Sequence, residues 1–155
     1  MNGLQQLSAS STNVPDTLRL IRDSFAFMDG RVDPPSSAHL LTLETLRQQC
    51  IKAEVWVTGD PVIGCMFLTP RAQVLYLGKL AVAQIARGQG IAHALVDHAV
   101  YRAAQMKLPA VELQTRIELV ENHRTFARMG FVKTGETSHA GYDRVTSITM
   151  QRAVA

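Results

Sequence analysis

Apolar side chains recur every three or four positions at Leu18, Ile21, Phe25 and Met28, which predicts an amphipathic helix with one buried stripe. Asn13 stands as its N-cap, Pro15 suits the first turn, and Asp29-Gly30 stops it. Leu4 to Ser10 ahead of it is short and mixed, and reads as a first strand. Pro34-Pro35-Ser36-Ser37 breaks any helix but can cap a new one, so a second helix is expected over His39 to Cys50. It turns Leu40, Leu43 and Leu46 inward, with Leu41 or Cys50 as a further inward position.

From Glu54 the period changes. Glu54 to Thr58 is β-branched and aromatic, Gly59-Asp60-Pro61 is a turn, and Val62 to Thr69 is the returning strand. After Pro70-Arg71-Ala72, the stretch Val74 to Val82 is apolar on both faces, which places a strand there at the centre of a sheet. Gly88 to Met106 repeats apolar residues at Ile91, Leu95, Ala99 and Ala103 and is helical up to the break at Pro109. Ala110 to Thr115 is another strand, and a short helix starts at Glu118 or Val120 and runs to Met129, ended by Gly130. Phe131 to Thr134 begins a strand, and Tyr142 to Arg152 alternates as the last one. A meander followed by strand-helix-strand-helix-strand gives an α+β (mixed α/β) protein, with a mostly antiparallel mixed sheet and helices on its faces.

Composition narrows the function. At 155 residues and 17.0 kDa the chain suits one globular core, so residues 1–155 read as a single domain. A net charge of +3 with dispersed Arg and Lys offers no basic arm, so no nucleic-acid partner is expected. Cys50 and Cys65 belong to no CxxC or His/Cys cluster, which predicts reduced thiols and no metal site. The first ten residues lack a basic segment followed by an apolar one, and no stretch reaches the ~18 apolar residues of a membrane span. A cytoplasmic protein without a membrane partner is the resulting expectation.

The strongest chemical signal is Arg87-Gly88-Gln89-Gly90-Ile91-Ala92, lying between the apolar Leu80-Ala81-Val82 and a helix start. Amides in the first turn of a helix have no intrahelical partner, and the helix dipole adds positive potential, so this stretch predicts an anion cradle. No GxxxxGK run exists, which argues against a P-loop. A dinucleotide GxGxxG beginning at Gly88 would need glycine at 93, where His93 stands.

The same six residues resemble the R/Q-x-x-G-x-G/A signature of the GNAT (Gcn5-related N-acetyltransferase) superfamily. Glu121-Asn122-His123 through Phe126 to Met129-Gly130-Phe131 resembles its second signature, and the two together span about residues 74 to 134. The resemblance implies a sheet splayed at the coenzyme site and acetyl-CoA as cosubstrate, with acetyl transfer to a primary amine by direct attack in a ternary complex. It assigns the pyrophosphate to the amides of Arg87 to Ala92 and the pantetheine arm to Leu80, Ala81 and Val82. Asn122 and Phe126 then flank the arm, and the Leu80 amide polarises the thioester carbonyl.

Two departures bear on catalysis. Phe126 stands where many members carry a tyrosine that protonates the leaving thiolate, and no Asp or Glu occurs from Pro61 through Val96. By its placement Glu112 resembles a strand glutamate of one branch, and is either the general base working through a water or an ordinary polar residue of the sheet. His123 is a second candidate, with a capping or surface role as its alternative. His93 and Asp97 read as a solvated i, i+4 pair, and Trp56 as packing. Phe25, Met28, Asp29, Arg31 and the Pro34–Ser37 turn fall where the family forms its acceptor wall. The loop His139 to Asp143 closes the acceptor side, unless Tyr142 anchors the last strand. The acceptor is a small-molecule or peptide amine. An acyl-CoA-binding regulatory module is the rival reading, an interaction protein a third, and exposed sheet edges would suit a homodimer.

Overall fold

The computed structural model describes residues 3 to 155 and contains one seven-stranded sheet with helices on both faces. The strands are β1 (Leu4–Gln6), β2 (Glu54–Thr58), β3 (Gly64–Pro70), β4 (Leu75–Val82), β5 (Ala110–Arg116), β6 (Val132–Thr137) and β7 (Ser147–Ala153). The helices are α1 (Val14–Ala26), α2 (Leu43–Lys52), α3 (Ile91–Gln105) and α4 (Val120–Arg128). The sheet order is β1-β2-β3-β4-β5-β7-β6, so β4 is central, as its two apolar faces require.

Alternation along the strands divides the core into two layers. Met66, Leu68, Leu75, Leu77, Val111 and Leu113 pack with Leu95, Val96, Ala99 and Ala103 of α3. On the opposite face Val55, Val57 and Cys65 pack with Val14, Leu18 and Ile21 of α1 and Leu46 of α2. Burial pushes the Cys65 thiol up to about 12, so it is an inert core group rather than a nucleophile.

All pairs are antiparallel except β4 with β5, and that pair is very short. It holds register only at Leu75 with Val111 and Tyr76 with Glu112; beyond these the two strands part. A V-shaped gap therefore opens at the C-terminal half of the central strand.

Three expected elements differ. The stretch His39 to Cys50 is not one helix: a 3₁₀ turn covers Ser37–Leu40, Leu41 is extended, and α2 starts afresh at Leu43. Thr42 causes the restart, because its hydroxyl accepts from the Thr45 amide at 3.2 Å while the Thr45 hydroxyl accepts from the Thr42 amide at 2.9 Å. The restart rotates the face, leaving Leu40 78% exposed while Leu46 is fully buried. The last strand begins at Ser147 rather than Tyr142, since the Tyr142 hydroxyl donates to Asp33 at 2.6 Å and holds that segment in a loop. Asn13 does precede α1, but its carbonyl rather than its side chain serves Thr17.

Candidate active site

The gap between β4 and β5 is the floor of a cleft of about 820 Å³. Its shape originates in a β-bulge on β4. Cys65 pairs with Ala81 but Phe67 pairs with Gly78, so Lys79 and Leu80 together oppose Met66. Lys79 takes a left-handed φ of 50°, a conformation that costs a non-glycine residue about 1–2 kcal/mol. From Leu80 in the bulge onward, Leu80, Ala81 and Val82 line the cleft on a strand edge that β5 no longer covers.

The cradle lies just beyond that edge. After a 3₁₀ turn over Gln84–Ala86 the chain passes through Gly88 at φ 80° and Gly90 at φ 79°, and Gly90 caps α3. The first intrahelical bond runs from the Ala94 amide to the Gly90 carbonyl at 3.0 Å. Among the described residues no acceptor takes the amides of Gly88, Gln89 or Gly90, and those of Ile91 to His93 precede the helical ladder. A Cβ added at Gly88 or Gly90 would meet no protein atom within 4 Å. Glycine is thus required for backbone hand, and the cradle is open to a ligand. Gly64 seats it: a Cβ there would come within 2.7 Å of Ile91 Cγ2, so β3 and the first turn of α3 touch directly.

The opposite wall comes from β5 and α4. Asn122 and Phe126 line the cleft, and Phe126 packs edge-on against Phe131 with centroids 5.8 Å apart. The residue that sequence reasoning missed is Thr115. It lines the cleft, is 7% exposed, and its buried hydroxyl has no hydrogen-bond partner among the described residues. A threonine in a strand gives no sequence signal for this; the parting of β4 from β5 strands the hydroxyl.

The proposed acid–base residues fall on two sides. Glu112 shares its face of β5 with Gln114 and Arg116, which line the cleft, but is itself set back from the wall. Its Oε2 accepts from Gln151 Nε2 at 2.8 Å, and Oε1 lies 3.8 Å from Arg71. His123 is not on the wall either; its Nε2 donates to the Arg116 carbonyl at 2.9 Å, tying α4 to the end of β5. Tyr76 is a phenol on the wall, held protonated by burial, while Arg71 lies 3.8 Å above its ring.

The far end of the cleft is walled by the α1–α2 connector and roofed by the β6–β7 loop. Phe25, Met28 and Arg31 line it, as does His139. Asp29 instead pairs with His39 at 2.5 Å on the outer surface. Tyr142 and Arg144 both donate to Asp33, joining the two loops across the mouth. Lys79 Nζ donates to Ser37 Oγ at 2.8 Å, and Arg116 donates to the carbonyls of Pro34 and Pro35. Burial lowers the Lys79 pKa and the nearby Arg116 charge lowers it further; burial likewise lowers Arg116.

Features remote from the cleft have structural roles. His93 and Asp97 lie 3.6 Å apart, both exposed, on the solvent face of α3. Trp56 stacks edge-on against His98 at 4.2 Å and donates to Glu54, which also pairs with Arg102. No group of three metal-ligating side chains converges among the described residues.

Residues 16–131 match the model of the acetyltransferase (GNAT) family. No curated protein sequence matches the chain. Among solved structures, the chain is similar to an aminoglycoside 6'-N-acetyltransferase complexed with coenzyme A, at TM-score 0.75 and 13% identity over 98% of this chain and 97% of the other. It is also similar to aminoglycoside 6'-acetyltransferase type Ii, at TM-score 0.76 and 16% identity over 98% and 97%. A GNAT-family acetyltransferase from Staphylococcus aureus Mu50 superimposes at TM-score 0.73 with 12% identity over 98% and 99%. At such identities these likenesses speak for the fold alone.

Proposed function

The chain belongs to the acetyltransferase (GNAT) family, and from that premise we propose that it moves acetyl from acetyl-CoA to a primary amine by direct attack in a ternary complex. The observation that carries the reading is the parting of β4 from β5 beside the open cradle of Gly88 to Ala92. An extended arm laid in the gap would meet the uncovered edge of Leu80 to Val82, and its pyrophosphate would meet the cradle amides and Arg87. The orphaned Thr115 hydroxyl fits the same occupant, because a polar arm would supply the partner it lacks. Asn122 and Phe126 would flank the arm from α4.

Acetyl-CoA supplies an activated thioester whose thiolate leaves readily. The Leu80 amide, in the bulge, donates to the thioester carbonyl oxygen and stabilises charge that grows there. Phe126 can donate no proton, so the thiolate departs without a dedicated acid at that position. The cations Lys79 and Arg116 disfavour a third positive charge beside them and so favour the neutral, nucleophilic form of the amine. Glu112, set back on the acceptor face, takes the amine proton through a water, and His123 positions the end of β5. Replacing Glu112 by Gln then lowers kcat most at low pH and less as bulk base takes over, whereas a pH profile parallel to wild type removes Glu112 from this role.

Phe126 also favours a second reading, a coenzyme-A-binding module with little turnover. Thiol release measured over an amine and peptide panel separates the two: turnover with any amine supports the transferase, while coenzyme binding without thiol release supports the module.

A further inference from the structure

The charges around the acceptor side carry information about what the amine bears at its other end. Of the cleft-lining side chains, five are cationic, Arg31, Arg71, Lys79, Arg87 and Arg116, and one, Glu121, is acidic. Glu121 is already bound to Arg31, and Arg71 is taken up by the Tyr76 ring and Glu112. Arg87 belongs to the cradle. Lys79 and Arg116 remain, and neither has a carboxylate within 4 Å among the described residues.

Of the acids at the mouth, Glu118 and Asp33 act on Arg116 from beyond contact distance, and among the described residues none acts on Lys79. Asp29 is held by His39, Asp33 by Tyr142 and Arg144, and Glu118 accepts from the Asp33 amide at 3.2 Å. A partly desolvated Lys79 ammonium beside the Arg116 charge, with no carboxylate of its own among the described residues, is an unfavourable arrangement that an anion relieves. Two of the five N–H donors of Arg116 go to the Pro34 and Pro35 carbonyls, which ties the guanidinium to the α1–α2 connector. The Lys79 ammonium and the Ser37 hydroxyl remain, a point charge with an adjacent donor that matches the two oxygens of one carboxylate.

From this uncompensated ammonium we propose that the acceptor is a small primary amine carrying a carboxylate, as in an amino acid or short peptide, with the carboxylate seated on Lys79 and Ser37. The proposal rests on the acetyltransferase reading and narrows it. The same cations repel a polycationic amine, so this site differs in kind from one built for polyamines or aminoglycosides.

The test measures thiol release from acetyl-CoA with α-, β- and longer amino acids, their carboxamides, phosphoethanolamine, a polyamine and an aminoglycoside. It is run on wild type, Lys79→Met and Lys79→Arg, with coenzyme A binding followed by calorimetry in each. The expected result is a preference in kcat/KM for a carboxylate over its carboxamide of about tenfold or more, the scale of one charge-assisted hydrogen bond. That preference collapses in Lys79→Met through KM and returns in Lys79→Arg. Equal use of carboxamides, preference for the phosphorylated or polycationic amines, or a preference that survives Lys79→Met overturns the assignment and leaves the transferase standing. Thiol release from none of the panel overturns the assignment too; if coenzyme binding is also absent, the transferase reading falls with it.

Discussion

A buried hydroxyl without a partner destabilises the free protein by about 1–3 kcal/mol, and Thr115 carries that cost inside the cleft wall. The near-isosteric change Thr115→Val removes the unsatisfied group, so the melting temperature is expected to rise while the KM for acetyl-CoA increases about fivefold or more, the scale of one lost hydrogen bond. A melting temperature and KM that both stay put would remove Thr115 from the site. Lys79 makes a pH prediction at the same scale. Its folded pKa lies below the ordinary 10.5, so in the window between the two values the native state binds fewer protons than the unfolded chain. Stability contributed by this group therefore rises with pH through that window. Lys79→Met is expected to be more stable than wild type at neutral pH, with the difference shrinking as pH approaches 10.5, as urea titrations at several pH values would reveal. None of this was legible from the residues alone. Lys79, Ser37 and Arg116 lie far apart in sequence, and the orphaned state of Thr115 depends on where two strands part.

Among the elements, local signals were read well where one residue type fixes the geometry. The left-handed Gly130 stands just past the C-cap of α4 and ends that helix, and the four-residue steps of Ile91, Leu95, Ala99 and Ala103 are all buried along α3. The reading failed where side chains acted on the backbone. Thr42 and Thr45 cap each other and restart a helix that apolar spacing alone would have run straight through. Asp33 draws Tyr142 out of the sheet although its segment alternates like a strand. Thr42→Ala should accordingly cost about 1 kcal/mol, measured by denaturant midpoint, with α2 as the affected element. The contact between β3 and α3 gives a sharper expectation. Gly64→Ala forces a Cβ to 2.7 Å from the branched Ile91 and 3.1 Å from Thr58, which overpacks the seat of the cradle. It should lower stability by about 1–3 kcal/mol and weaken coenzyme A binding together; a stability loss with unchanged binding would detach the cradle from this seat.

For the molecule as a whole, the central strand organises both ends of the cleft. Its apolar residues on both faces made it recognisable as the middle of the sheet, and the glycine-rich stretch after it marked the cradle, because both signals are local. The far end of the cleft, where the acceptor is proposed to sit, is built instead from the α1–α2 connector, β4, β5 and the β6–β7 loop, which meet only in the folded chain. The same V-shaped parting thus gives one wall that sequence motifs announce and another that only the fold assembles. In the proposed complex coenzyme A lies along the uncovered edge of β4 with its pyrophosphate on the amides around Gly90. Calorimetric titration of coenzyme A into wild type and Gly90→Val, with melting curves to confirm that both are folded, tests it most directly. Saturable binding is expected for wild type and a loss of about tenfold or more for the variant, whose β-branched side chain cannot hold the φ of 79° that sets the cradle. No binding by folded wild type, or equal affinity in the two proteins, would contradict it.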